Sequence, residues 1–85
     1  MAAYRIVLRK SAAKELEAIP KQYLAKIVER IQSLAVEPRP PGVEKLSAQE
    51  RYRIRQGDYR IVYSIDDDIL TVCVVKVGHR REVYR

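Results

Sequence analysis

Residues 51–77 read RYRIRQGDYRIVYSIDDDILTVCVVKV, and the period of this stretch decides the architecture. Tyr52 and Ile54 alternate with Arg51, Arg53 and Arg55, while Tyr59, Ile61, Tyr63 and Ile65 alternate with Arg60, Val62 and Ser64. A period of two marks a half-buried strand, because successive side chains leave a strand on opposite faces. Gln56, Gly57 and Asp58 supply one tight turn and Asp66, Asp67 and Asp68 another, and the apolar run from Ile69 to Val77 supplies the next strand. The stretch predicts a β-meander that turns Tyr52, Ile54, Tyr59, Ile61, Tyr63 and Ile65 toward a core. Arg51, Arg53, Arg55 and Arg60 then share the other face.

Upstream the period changes. Tyr4 to Leu8 is rich in β-branched and aromatic residues and suits a short first strand. Ser11 reads as a helix N-cap, followed by Ala12, Ala13, Leu16 and Ile19 at helical spacing, and Pro20 ends that helix. From Lys21 to Ala35 the positions Leu24, Ile27, Val28, Ile31, Leu34 and Ala35 trace the stripe of a second, amphipathic helix. Pro38, Pro40, Pro41 and Gly42 make a loop, and Val43 to Leu46 suits a short leading strand of the meander. A helix hairpin with one apolar stripe must bury it on a sheet. The expected fold is therefore one two-layer α+β domain over residues 1–85. An N-terminal strand and the helix hairpin pack on one face of a mainly antiparallel sheet of four or five strands, and the opposite face stays open to solvent.

Composition narrows the partners. Seventeen Lys and Arg against eleven Asp and Glu in 85 residues give a formal charge of +6, a field that attracts polyanions. Nucleic-acid phosphates, an acidic partner protein or an anionic membrane surface would each satisfy it. A domain of this size buries only roughly 60 to 65% of its unfolded surface, which leaves little room for a deep pocket. Cys73, the one cysteine, excludes an internal disulfide and a paired-thiol metal site, and reads as a small core hydrophobe. The opening MAAYRIVLRK has no long apolar run, so it reads as neither a signal peptide nor a membrane span. A cytoplasmic protein with no membrane partner is expected. Asp66, Asp67 and Asp68 diverge in a turn and suit solvent better than a metal, so neither metal nor cofactor is expected.

The candidate chemistry lies with the outward arginines. Arg53, Arg55 and Arg60 repel one another unless an anion or an acidic partner stands among them, and their guanidinium forks match phosphate oxygens. The closing run VGHRREVYR adds His79, Arg80, Arg81, Tyr84 and Arg85 directly after the last strand. It reads as a basic tail or as an extension of the same site, and Val83 and Tyr84 favour the second. His79 is the one histidine, open to a general acid–base role or to packing at the sheet edge.

The blocks YRIRQGDYRIVYSIDDD (52–68) and VCVVKVGHRREVYR (72–85) resemble the RelE/ParE superfamily of toxins, above all its RelE branch. The likeness spans nearly the whole chain, including AAKELEAIP (12–20) and RPPGVEKLS (39–47). It implies the toxin of a type II toxin–antitoxin system, an endoribonuclease that cuts messenger RNA on the ribosome and is silenced by a cognate antitoxin. Carried over by position, Arg60, Arg80 and Tyr84 would be catalytic, and Arg53 and Arg55 would hold RNA together with Arg51, Arg81 and His79. Relatives often have lysine at the positions of Arg53 and Arg55, and arginine is a poor proton acceptor. Two other readings stand beside this one. A ParE-like toxin would bind DNA gyrase and cleave nothing, although that branch generally lacks the basic and tyrosine constellation. A nucleic-acid-binding module without activity would also explain the charge.

Overall fold

A computed structural model of the chain describes residues 3–46 and 50–79. Its elements are β1 (Arg5–Leu8), α1 (Lys10–Glu17), α2 (Lys21–Ser33), β2 (Glu44–Leu46), β3 (Arg51–Gln56), β4 (Tyr59–Asp66) and β5 (Thr71–His79). The strands form one sheet in the order β1-β5-β4-β3-β2, antiparallel except for β1, which runs parallel to β5. This is the two-layer α+β arrangement expected from the sequence. No helix among the described residues is long and apolar enough to cross a membrane.

Each helix is where its apolar stripe dictates. Ala12 and Ile19 from α1 and its end, with Ile27, Ile31 and Leu34 from the second helix, meet Ile54, Ile61, Tyr63, Val72, Val74 and Val77 of the sheet in one core. Burying a large aliphatic side chain of this kind contributes roughly 1.5–3 kcal/mol. Pro20 separates the helices as expected: with φ −55° it caps α2, and its carbonyl accepts the Tyr23 and Leu24 amides. The start of α1 differs. Arg9 is the capping residue and Ser11 lies inside the helix, because the Arg9 amide is already committed to the Val74 carbonyl at 3.0 Å, which brings the chain off β1 two residues early.

Two further expectations are corrected at the other end of the sheet. Ile69 and Leu70 belong to the β4–β5 turn and are 65% and 36% exposed. The Asp66 carboxylate holds them there by accepting the Asp68 and Ile69 amides at 3.0 and 3.3 Å, and Leu70 takes a positive φ of 48°. Asp67 is no idle turn residue either. It accepts both terminal nitrogens of Arg39, at 3.3 and 3.0 Å, and the Tyr4 hydroxyl at 2.6 Å, and Arg39 lies 5.3 Å over the Tyr52 ring. The Arg39 hydrogen bonds, with that of Tyr4, lower the Asp67 pKa, while the same contact with Asp67 raises that of Tyr4. This clasp joins the residue that precedes β1, the proline loop, β3 and the β4–β5 turn.

The outer face is not bare. Val62 and Val75 are only 7% and 8% exposed on it, with Leu46 and Cys73 packed against them. Cys73 is thus part of a small outer cluster, not of the core between the layers.

Tyr63 is fully buried, and its hydroxyl donates to the Pro38 carbonyl at 2.7 Å. Burial pushes its phenol from 10.0 up to about 12. The folded state therefore keeps the Tyr63 proton where the unfolded chain has lost it, so this contribution to stability is whole below pH 10 and disappears as pH rises toward 12. Urea unfolding of Tyr63→Phe should show a loss of about 1 kcal/mol at pH 8, because the Pro38 carbonyl is orphaned. It should also show a shallower decline than the parent above pH 10. A parent whose urea midpoint is flat across that alkaline range contradicts this account.

Candidate functional site

The β3–β4 hairpin positions the outward arginines. Gly57, at φ +61°, takes the first central place of its two-residue turn, a conformation that costs an ordinary residue but not glycine. The register then sets Gln56 opposite Tyr59, Arg55 opposite Arg60, and Arg53 opposite Val62. Directly opposed residues share a face, so the Arg55 and Arg60 side chains stand side by side. With Arg53, Glu44 and Gly42 they line a cleft of about 380 Å³. Gly42 sits at φ +87° with nothing within 4 Å of the place a Cβ would take, so the wall it forms adds no bulk to the cleft.

A bulge in β5 completes the frame. Val62 pairs with Lys76 but Tyr63 pairs with Val74, so Val75 is an extra residue. An inserted residue shifts the alternation that follows it. Val72 and Val74 face the core before the bulge and Val77 faces it afterwards, while Val75 joins the outer cluster. Two ties from α1 hold the bulge: Glu15 accepts the Val77 amide at 2.8 Å and pairs with Lys76 at 3.3 Å. Past it, Gly78 becomes the partner of Arg60 and His79 the partner of Tyr59. A residue without a side chain therefore stands next to Arg60.

Among the described residues the cleft gathers three guanidiniums around the Glu44 carboxylate. Glu44 accepts the Arg53 Nε at 3.1 Å and contacts its terminal nitrogen at 3.1 Å, with the Arg53 side chain only 17% exposed. Arg60 donates to the Tyr59 carbonyl at 3.3 Å, and Arg55 is exposed. The remaining positive charge has the donor geometry for a tetrahedral anion, which several forked donors can grip at once. Glu44 is absent from the expectations above. The short β2 carries it, and only the β2–β3 register brings it to Arg53.

Other expected site residues are distributed differently. Arg51 lies at the far end of β3, paired with Leu46, and does not line the cleft. His79 packs edge-on against Tyr59, ring centres 5.8 Å apart at 76°, on the helix side of the sheet and not among the arginines. Arg80, Arg81 and Tyr84 lie outside the described residues.

Comparison with known proteins identifies what this frame belongs to. The family model described as "ParE toxin of type II toxin-antitoxin system, parDE" matches residues 6–84. Toxin RelG of Mycobacterium tuberculosis is 32% identical over 84 residues, covering 96% of this chain and 97% of the relative. Among solved structures, the toxin–antitoxin complex RelBE2 from the same organism is similar at a TM-score of 0.82 and 31% identity, over 92% of this chain and 99% of that one. The archaeal RelE–RelB complex from Pyrococcus horikoshii OT3 matches at 0.82 and 31%, over 92% and 96%.

Removing the Glu44 carboxylate tests the electrostatics of the cleft. Glu44→Gln should lower the melting temperature in low salt by a few degrees, because the negative charge beside Arg53 no longer offsets the neighbouring guanidiniums. The gap to the parent should narrow in about 0.5 M sodium chloride, where the screening length falls below about 5 Å. A gap of the same size at both ionic strengths would show that Glu44 acts through packing alone.

Proposed function

The chain belongs to the ParE toxin family of type II toxin–antitoxin systems, within the superfamily that holds the RelE-type toxins, and from that premise we propose that it is an endoribonuclease that cleaves messenger RNA on the ribosome. The observation that carries the proposal is the convergence of Arg53, Arg55 and Arg60 on one cleft. In this reading its partners are mRNA with the ribosome, and a cognate antitoxin that silences it. The antitoxin is supported by similar structures that are toxin–antitoxin complexes. The cytoplasm, where messages are translated, is then its place of action.

The reaction this site suits needs no nucleophile and no metal from the protein. The ribose 2′-hydroxyl attacks the adjacent phosphorus, the bond from phosphorus to the 5′-oxygen breaks, and a 2′,3′-cyclic phosphate and a 5′-hydroxyl remain. Negative charge builds on the phosphoryl oxygens on the way. Arg60, beside the side-chain-free Gly78, takes the role of principal donor to them, with Arg55 and Arg53 holding the flanking phosphates. A well-aimed donor of this kind contributes on the order of 2 to 4 kcal/mol to the transition state. Within the same proposal Arg80 is the second charge donor and Arg81 a further RNA contact. Tyr84 moves a proton or stacks on a base.

The gyrase-poison reading is kept because the matching family model is the ParE one. Cell-free translation of a reporter message distinguishes the two: new cuts within translated codons are expected, whereas loss of DNA supercoiling without cuts would establish the gyrase poison instead. In the same assay Arg60→Ala should reduce cleavage by at least a hundredfold while antitoxin binding persists. Cleavage at the parental rate would remove Arg60 from the reaction. Tyr84→Ala should reduce cleavage more than it reduces RNA binding, and equal losses would leave Tyr84 a contact residue.

A further inference from the structure

Tyr59 and Arg60 are consecutive in β4 and leave it on opposite faces, so the hairpin end that carries the arginine cleft has a second side. There the Tyr59 ring meets Tyr23, from the first turn of α2, with centres 5.8 Å apart and planes at 42°. Tyr23 is 45% exposed. The two rings border a cavity of about 420 Å³ that Gln22, Lys26, Gln56 and Asp58 also line. The Tyr59 side of this cavity leads on to His79, which leans edge-on against the same ring.

The chemistry of this shelf is not that of a packing surface. The apolar aliphatic in its wall, Ile27, is 1% exposed and belongs to the core. What reaches solvent is a phenol face, two carboxamides, one ammonium and one carboxylate. Ring faces stack on nucleobases, carboxamides pair with their edges, and an ammonium meets a phosphate. A protein partner would call for a wider apolar area. The cavity volume is also within the range that holds a small organic group.

The shelf and the cleft occupy the two faces of one hairpin end. Arg55 opposite Arg60 and Gln56 opposite Tyr59 are successive pairs of one ladder, and the Arg60 guanidinium itself donates to the Tyr59 carbonyl at 3.3 Å. A single strand gripped by the arginines therefore needs only to fold over the hairpin tip to reach Tyr23. We propose that the Tyr23–Tyr59 shelf holds a base of the RNA strand whose scissile linkage occupies the arginine cleft, so that the toxin reads RNA on both faces of the hairpin end. This rests on the nuclease reading above and assigns to it a second subsite.

Binding of 2′-O-methyl RNA to the purified full chain tests it, since the methyl group blocks the attacking hydroxyl and leaves binding alone to be read. A dinucleotide fills the cleft only; a decamer reaches both sites. Tyr23→Ala should weaken the decamer about tenfold, the size of one lost base stack, and leave the dinucleotide unchanged. Tyr23→Phe should restore the decamer. Lys26→Ala should reduce the salt dependence of decamer binding by about one phosphate contact, whereas Tyr23→Ala should leave it unaltered. Parental decamer affinity for Tyr23→Ala overturns the shelf, as do equal losses on both probes or a loss confined to antitoxin binding. A parent that binds neither probe overturns it too, while codon-specific cuts in the translation assay still stand as the separate measure of the nuclease reading.

Discussion

One extra residue in β5, Val75, sets what stands beside Arg60. Without it the alternation that buries Val72 and Val74 would carry Lys76 and then Gly78 toward the helices, and His79 would be turned to the arginine face. With it, Val77 closes the core and Gly78 meets Arg60. The Glu15 carboxylate holds this offset from α1, taking the Val77 amide that the sheet leaves unpaired where β1 has ended. A hydrogen bond to a charged group contributes roughly 1.5–3 kcal/mol, enough to make a local irregularity the favoured register. A helix thereby fixes, through one contact, the geometry of a cleft on the opposite side of the sheet.

The cleft is a compromise between stability and readiness. Like charges directly across a ladder are unfavourable, and Arg55 opposite Arg60 is such a pair. Glu44 offsets part of the local positive charge by engaging the neighbouring Arg53, whose side chain is only 17% exposed. Arg55 and Arg60 remain, and an anion arriving there gains their attraction and relieves their repulsion. Elsewhere the domain compensates with contacts remote from the cleft. The Tyr4–Asp67–Arg39–Tyr52 clasp and the Tyr63 tie to Pro38 draw the far end of the sheet and the proline loop together.

Much of this was legible in the sequence because alternation is a local signal. Tyr52 to Ile65 display it over two strands, and it put Ile54, Ile61 and Tyr63 in the core and Arg53, Arg55 and Arg60 on one face. What was not legible depends on long-range register. Nothing in Val74-Val75-Lys76 announces a bulge, since three successive residues of a buried strand read the same with or without an offset. Glu44 meets Arg53 only because a three-residue strand docks in one register, and Asp67 meets Arg39 only because a turn and a loop distant in sequence share one end of the sheet. The buried Val62 and Val75 were obscured by the same limit: alternation says which way a side chain points, not what lies above it.

The parallel pairing of β1 with β5 also bears on the order of assembly. Arg5 finds its partner in Thr71, so the first strand stays unpaired until the last has been made. Contacts this distant along the chain form slowly and late. The arginine hairpin can form locally, but its neighbour β5 and the helix contact that sets the register follow only once residues 71–79 have been made. Before that closure the chain has its arginines but not the frame around them, and β1 and β5 still offer unpaired edges.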